Sequence, residues 1–169
     1  MKPICVQDVF DPKQMLSMIV YSHEPLEDVL RRFSEESWLR GIFVINRAAQ
    51  LLGVITRRDL LLCAQVRLGT ALSGPAHSRN RLLRLAQLMR AGTAKEAIRP
   101  DSQEAAVQAD DPLDRALRLM LDMDLLAVPV VDDEGRILGD LTLLRVLRYI
   151  LSLSEDEASR PASSRRPER

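Results

Sequence analysis

The chain has 169 residues, 46% of them hydrophobic and 28% charged, with 24 Lys+Arg balanced by 24 Asp+Glu. That balance suits one compact domain, or two small halves sharing a core, and leaves no net field to draw nucleic acid or an anionic membrane. Aromatic residues at 4% leave few stacking platforms for single strands, so nucleic acid is not an expected partner.

The opening residues, MKPICVQDVFDPK, are interrupted by Asp8 and Asp11 and lack the apolar stretch of a signal peptide. No apolar run approaches the roughly 20 residues of a membrane span, so no membrane insertion is expected. Cys5 and Cys63 form no metal or redox motif, which points to a reduced, cytoplasmic setting. A short apolar strand is predicted at Met18 to Tyr21. An amphipathic helix begins near Pro25, with Leu26, Val29, Leu30 and Phe33 at i, i+3, i+4 and i+7. Proline suits a helix start, because its missing N–H would be unpaired there anyway. Strands at Ile42 to Ile45 and Leu51 to Ile55 flank a turn at Asn46 to Gln50, and a second helix follows from Thr56.

Gly69 to Asn80 (GTALSGPAHSRN) reads as a Gly/Ser/Pro loop. Arg81 to Ala91 reads as a short helix, apolar at Leu82, Leu85, Leu88 and Met89. Its basic side suits either a solvated connector or a surface facing anions or a membrane. The first order of elements then returns. A strand is predicted at Ala105 to Gln108, and a helix near Pro112 carries Leu113, Ala116, Leu117 and Met120 on one face. Strands at Val128 to Val131 and Arg136 to Leu141 flank Asp132-Asp133-Glu134-Gly135, residues typical of hairpin turns. A last helix follows from Thr142, and from Ser152 onward the Ser, Glu, Arg and Pro content predicts a disordered tail.

The return is a duplication. Pro12 falls on Pro100, 88 residues on; Pro25 on Pro112, 87 on; Gly53 on Gly139, 86 on. Offsets that drift by one residue per segment mean true repetition with small loop insertions. Each copy is too short to bury a good core alone, so the two should pack on each other. The predicted fold is α+β: two β-α-β-β-α repeats related by a pseudo-two-fold axis. The predicted divisions are 4–68 for the first repeat, 69–92 for the connecting loop and helix, 93–151 for the second repeat, and 152–169 for the tail.

No G-x-S-x-G, H-E-x-x-H, P-loop lysine or G-x-G-x-x-G occurs, and His23 and His77 stand apart, so no enzyme is expected. The informative run is Gly53-Val54-Ile55-Thr56-Arg57-Arg58-Asp59. Thr56 stands at the N-cap of the second helix and Asp59 at N3. Those positions suit a capping box with an acid complementing the helix dipole. They also suit a ligand: amides at a helix start attract phosphate, and a fixed carboxylate accepts hydrogen bonds from both hydroxyls of a cis-diol.

Taken in tandem, the order of these motifs resembles the cystathionine-β-synthase (CBS) domain pair, or Bateman module. The residues carrying the resemblance are Asp8, Val9 and Pro12; Pro25-Leu26-Glu27; Gly53 to Asp59; Glu96, Ala97 and Pro100; Pro112-Leu113-Asp114; and Val128 to Leu144. It covers roughly residues 4 to 151. The resemblance implies an adenosine-containing ligand (AMP, ADP, ATP or S-adenosylmethionine) in a cleft between the copies, with no cofactor and a regulated partner protein. On that pattern Asp59 would hold the ribose hydroxyls, with Thr56 and Arg58 beside it and Arg57 on a phosphate. Ala105, Leu125, Ala127 and Pro129 would line the adenine slot.

The second cleft departs from the family pattern. Thr142 is kept, but Arg145 replaces the acid, facing a wall of Met18, Leu39, Arg40 and Gly41. A cation there opposes the helix dipole by about 0.3–1 kcal/mol. Arg145 therefore fills a degenerate cleft, pairs with a carboxylate such as Asp59, or receives a ligand phosphate; one nucleotide per chain is expected. The second helices (Leu60, Leu61, Leu62; Val146, Leu147, Ile150) carry more apolar surface than one core needs, which predicts a homodimer stacked through them. The competing expectation is a ligand-free interaction or dimerisation module, its clefts plugged by Arg145, Leu125 and Leu126.

Overall fold

In the first repeat the apolar patterns fold as they read. The computed structural model describes residues 3–72 and 78–158. Strand β1 (Met18–Tyr21) runs parallel to β2 (Ile42–Ile45), and β2 pairs antiparallel with β3 (Leu51–Ile55). Helix α1 (Leu26–Glu35) is capped at Pro25 and turns Leu26, Val29 and Phe33 inward. The β2–β3 turn is held by Asn46, whose Oδ1 accepts from the amides of Ala48 and Gln50. Helix α2 (Arg57–Leu72) follows.

Residues 69–72 thus continue α2, and α3 (Ser78–Arg90) starts ahead of Arg81, so helix takes both ends of the stretch expected to be loop. A lone glycine costs a helix only about 1 kcal/mol relative to alanine, which is too little to end one. Residues 73–77, including His77, lie outside the described residues. A short helix α4 (Ala94–Ala97) leads into the second repeat.

There α5 (Leu113–Asp122), β4 (Ala127–Val131), β5 (Ile137–Thr142) and α6 (Leu143–Ala158) repeat the order. The strand expected at 105–108 is reduced to a single parallel bridge between Val107 and Val130, and Ala105 ends a 3-10 turn (Ser102–Ala105) instead. The bridge consists of Val107 N–H to Pro129 O and Val131 N–H to Val107 O. The next bond of a parallel ladder would run from the amide of residue 129 to the carbonyl of Ala105, and proline has no N–H to give. Helix α6 also overruns the predicted start of the tail, since residues 152–158 are helical. Nothing there breaks a helix, and the Ser152 and Ser154 hydroxyls donate back to the carbonyls of Tyr149 and Leu151. The remaining tail, 159–169, lies outside the described residues.

The two cores exchange parts. The first gathers Val29, Phe33, Ile42 and Ile55 with Ala94 and Ala97 from beyond the connector. The second gathers Leu113, Met120, Val130 and Leu141 with Val6 from the amino-terminal segment. Backbone bonds fix the exchange: Val6 N–H to Asp111 O and Leu113 N–H to Ile4 O on one side, Leu26 N–H to Gly92 O and Ala94 N–H to Glu24 O on the other, all 2.9 Å. Each repeat's leading segment is therefore seated on the other repeat. Fully burying side chains such as Ile42 and Leu141 contributes about 1.5–3 kcal/mol each. The hairpin tips meet where Gln50 bridges Arg136, its own counterpart 86 residues on, which marks the pseudo-two-fold axis. Just before it, Ala49 and Gly135 are also counterparts, and both are left-handed at φ 62° and 77°. No helix among the described residues is long and apolar enough to cross a membrane.

Candidate functional site

Gly53 explains how the site is assembled. A Cβ at Gly53 would lie 2.3 Å from Ile98 Cγ2 and 2.6 Å from Ser102 Oγ, because residues 98–102 pass directly over β3. Ser102 Oγ accepts the Val54 amide at 2.9 Å, pinning that strap to the strand. Gly139 plays the same part in the second repeat, where a Cβ would come within 2.9 Å of the Phe10 ring. The strap over β3 carries Arg99 to the start of α2.

There Thr56 and Asp59 form the predicted capping pair. Asp59 Oδ2 accepts from the Thr56 amide (2.8 Å) and hydroxyl (2.7 Å), and the Asp59 amide donates to Thr56 Oγ1 at 3.3 Å. The other carboxylate oxygen, Oδ1, accepts from Arg99 Nε at 2.9 Å, and Arg99 Nη1 donates to the carbonyl of Met123 in the second repeat. The pair is secluded, with side chains 4% (Asp59) and 20% (Arg99) exposed. Arg99 was not among the sequence candidates. A signal for it existed: the Pro12–Pro100 match sets Arg99 against Asp11, just as Asp59 stands against Arg145, so both positions swap charge between copies.

Two cavities flank this pair. One of about 320 Å³ lies against Asp59, Cys63, Arg67, Glu96 and Arg99. The other, of about 310 Å³, lies against Leu39, Arg40, Thr56, Arg57, Arg58 and Leu126. Each is at the lower end of the range for small-molecule sites. The first holds two arginines against two carboxylates, and the second three arginines against Asp124 alone, so the second favours an anion.

Arg57, expected on a phosphate, is committed elsewhere. Its guanidinium donates to the carbonyls of Phe33 (2.9 Å) and Glu36 (3.2 Å) and stacks over the Phe33 ring, complementing the carboxyl end of α1. Arg58 reaches across to Asp124 of the second repeat, with both side chains well exposed. Exposed Arg40 has no side-chain partner among the described residues. Residues 56–59 and the strap thus reach the residues before β4, through Arg58–Asp124 and Arg99–Met123. Ala105 and Leu125 belong to the second core, Ala127 and Pro129 are buried strand residues, and half-exposed Leu126 lines the second cavity. Alternation along the chain turns Leu125 inward and Leu126 outward.

The second cleft is also rearranged. Leu39 and Arg40 fall on the Thr56 side, because the β2–β3 register (Ile42 opposite Ile55) sets Gly41 beside Thr56 of its own repeat. Met18 and Gly41 do meet, through Met18 N–H to Gly41 O at 3.2 Å. Thr142 Oγ1 accepts the Arg145 amide at 3.4 Å, an incomplete cap with no acid to close it. Arg145 does not pair with Asp59. Its Nη2 donates to Gln14 O (3.3 Å) and Oε1 (3.0 Å), while Nη1 is buried without a hydrogen bond. Its charge faces Asp140, a fully buried carboxylate on β5 that accepts from the Leu16 amide (3.0 Å) and Ser17 hydroxyl (2.8 Å). Burial pushes the Asp140 carboxyl above the usual range, against the pull of Ser17, Leu16 and Arg145. The β5 pattern concealed Asp140 as one residue of an otherwise apolar strand. No cluster of three metal-ligating residues occurs among the described residues.

A family model described as "CBS domain" matches residues 8–64 and 95–152. CBSX2, a CBS-pair protein of Arabidopsis thaliana, is 26% identical over 91% of this chain and 99% of its own, with a TM-score of 0.66. A structure of CBSX2 in complex with AMP is 26% identical over 89% of this chain and 98% of its own, at 0.62. A CBS domain-containing protein of Thermotoga maritima is 25% identical over 90% and 97%, at 0.64. No curated protein matches the sequence.

Proposed function

Since the chain belongs to the CBS domain family, we propose that it is a cytoplasmic regulatory module that binds an adenosine nucleotide (AMP, ADP or ATP) at the Asp59 cleft and signals to a partner protein. The observation that carries this reading is the fixed Asp59 carboxylate, secluded at the start of α2 beside an arginine-rich cavity and facing the second repeat. The AMP complex of CBSX2 supports the ligand class. In the proposed complex Asp59 accepts from both ribose hydroxyls, and Arg40 and Arg58 draw the phosphate. The Arg145 cleft, without an acid at that position, takes no ribose.

Calorimetry comparing AMP with its 2′,3′-dideoxy analogue tests the assignment. Hydrogen bonds to a charged group contribute about 1.5–3 kcal/mol, so wild type should bind AMP at least about tenfold tighter, and Asp59→Ala should bind the two alike. A wild type indifferent to the diol, or an Asp59→Ala variant that still distinguishes the two, would overturn it. Full engagement of Asp59 by Thr56 and Arg99 favours a second reading, a ligand-free interaction module. Thermal-shift assays separate the two readings: bound nucleotide raises the melting temperature with concentration, and no response at millimolar adenosine compounds supports the second.

A further inference from the structure

Building on the nucleotide reading, we infer that Arg99 sets the ligand class of the Asp59 cleft, selecting phosphorylated adenosines over the bare nucleoside. Both oxygens of Asp59 are engaged. Oδ2 serves Thr56, and Oδ1 serves Arg99 Nε at 2.9 Å. Three of its roughly four acceptor sites are thus taken, so both hydroxyls of a ribose diol can be held by Asp59 only by taking the place of that guanidinium. Arg99 then loses its counter-charge, in a position where its side chain is only 20% exposed. A poorly solvated cation stripped of its partner is strongly destabilising. A nucleoside brings nothing to replace the lost carboxylate. A nucleotide brings its own anion, and the planar guanidinium is suited to two phosphate oxygens at once.

The other arginines lining the two cavities do not share this role. Arg67 is held by Glu96 and the Leu88 carbonyl, Arg57 by α1, and Arg58 by exposed Asp124. Arg40 and Arg58 attract an anion through solvent, but displacing them is no condition of ribose binding. The sign of the mutational effect therefore separates Arg99 from them. Removing Arg99 frees Asp59, so adenosine should bind more tightly as the advantage of AMP shrinks. Removing Arg58 should weaken AMP and leave adenosine unchanged.

The test is calorimetric titration of adenosine and AMP into wild type, Arg99→Gln and Arg58→Gln, with circular dichroism to confirm folding. The expected results are at least a tenfold preference for AMP in wild type, several-fold tighter adenosine binding in Arg99→Gln, and a correspondingly smaller preference in that variant. An unchanged preference in Arg99→Gln, or a wild type that binds both equally, overturns the role of Arg99 and leaves the nucleotide reading standing. A wild type that binds neither overturns both. If Arg99→Gln does not fold, an Arg40→Gln, Arg58→Gln double variant decides: a preference for AMP that persists there supports the role of Arg99, and one that vanishes overturns it.

Discussion

Replacing Gly53 with alanine tests the packing on which the site depends. The new methyl group would lie 2.3 Å from Ile98 Cγ2 and 2.6 Å from Ser102 Oγ. Neither atom is the loose end of a side chain. Ile98 Cγ2 branches next to the backbone, and Ser102 Oγ is tied between the Val54 amide (2.9 Å) and the Arg99 carbonyl (2.8 Å). The strap must lift. Overpacking costs about 1–3 kcal/mol, and stranding the buried Val54 amide about 1–3 more. At about 2–4 °C per kcal/mol for a chain of this size, the melting temperature should fall by on the order of 10 °C in a thermal denaturation monitored by circular dichroism. Gly69→Ala is the control: nothing lies within 4 Å of its added Cβ, and the change should leave stability equal or slightly higher through helix propensity. Ile98→Ala placed in the Gly53→Ala background removes the nearest clash and should recover part of the loss. A Gly53→Ala protein that melts within about 2 °C of wild type would refute the reasoning, since even the smallest cost above exceeds that shift.

Two further outcomes are expected. Asp140 binds its proton more tightly folded than unfolded, so its stabilising share is present below the usual carboxylate range and lost as pH rises through the raised value. An amide in place of this carboxyl does not titrate, so in urea melts the stability of Asp140→Asn relative to wild type should rise between about pH 4 and pH 7; a difference constant with pH contradicts the burial argument. For the α2 and α6 faces, where Leu61 (58%), Val66 (74%) and Leu144 (68%) stand exposed, we propose a homodimer stacked through both helices. Sedimentation should show a wild-type dimer and a folded monomer for the Leu61→Glu, Leu147→Glu double variant. A wild-type monomer would dispose of the stacking.

Most of the architecture could be read from periodicity and punctuation, because these are local. Leu26, Val29 and Phe33 share a face by spacing alone, and the Pro12, Pro25 and Gly53 correspondences reveal the duplication without any structure. The misreadings fell where a distant partner or a continuing helix decides. The strand at 105–108 fails because Pro129, on another element, has no amide to offer. Residues 69–72 and 152–158 are helical because composition alone does not end a helix. The Thr56–Asp59 cap was legible as a motif three residues long. Its ion pair with Arg99, forty residues away, was not, since side-chain pairing at that separation leaves no mark on hydrophobic pattern. For the same reason Leu125 and Leu126 could not be told apart as core and wall, and Asp140 passed for one more strand residue.

Since Val6 completes the second repeat and Ala94 with Ala97 completes the first, neither repeat has a whole interior within one contiguous stretch of chain. During synthesis the first repeat stays unsealed until the ribosome has released residues beyond the connector. The amino-terminal segment waits longer still, for Asp111, before the Val6 amide finds its acceptor. Cutting the gene between the copies would yield two fragments, each missing the piece that closes it and carrying the piece that closes the other. Nascent chains crowded on one messenger could satisfy each other by the same trade.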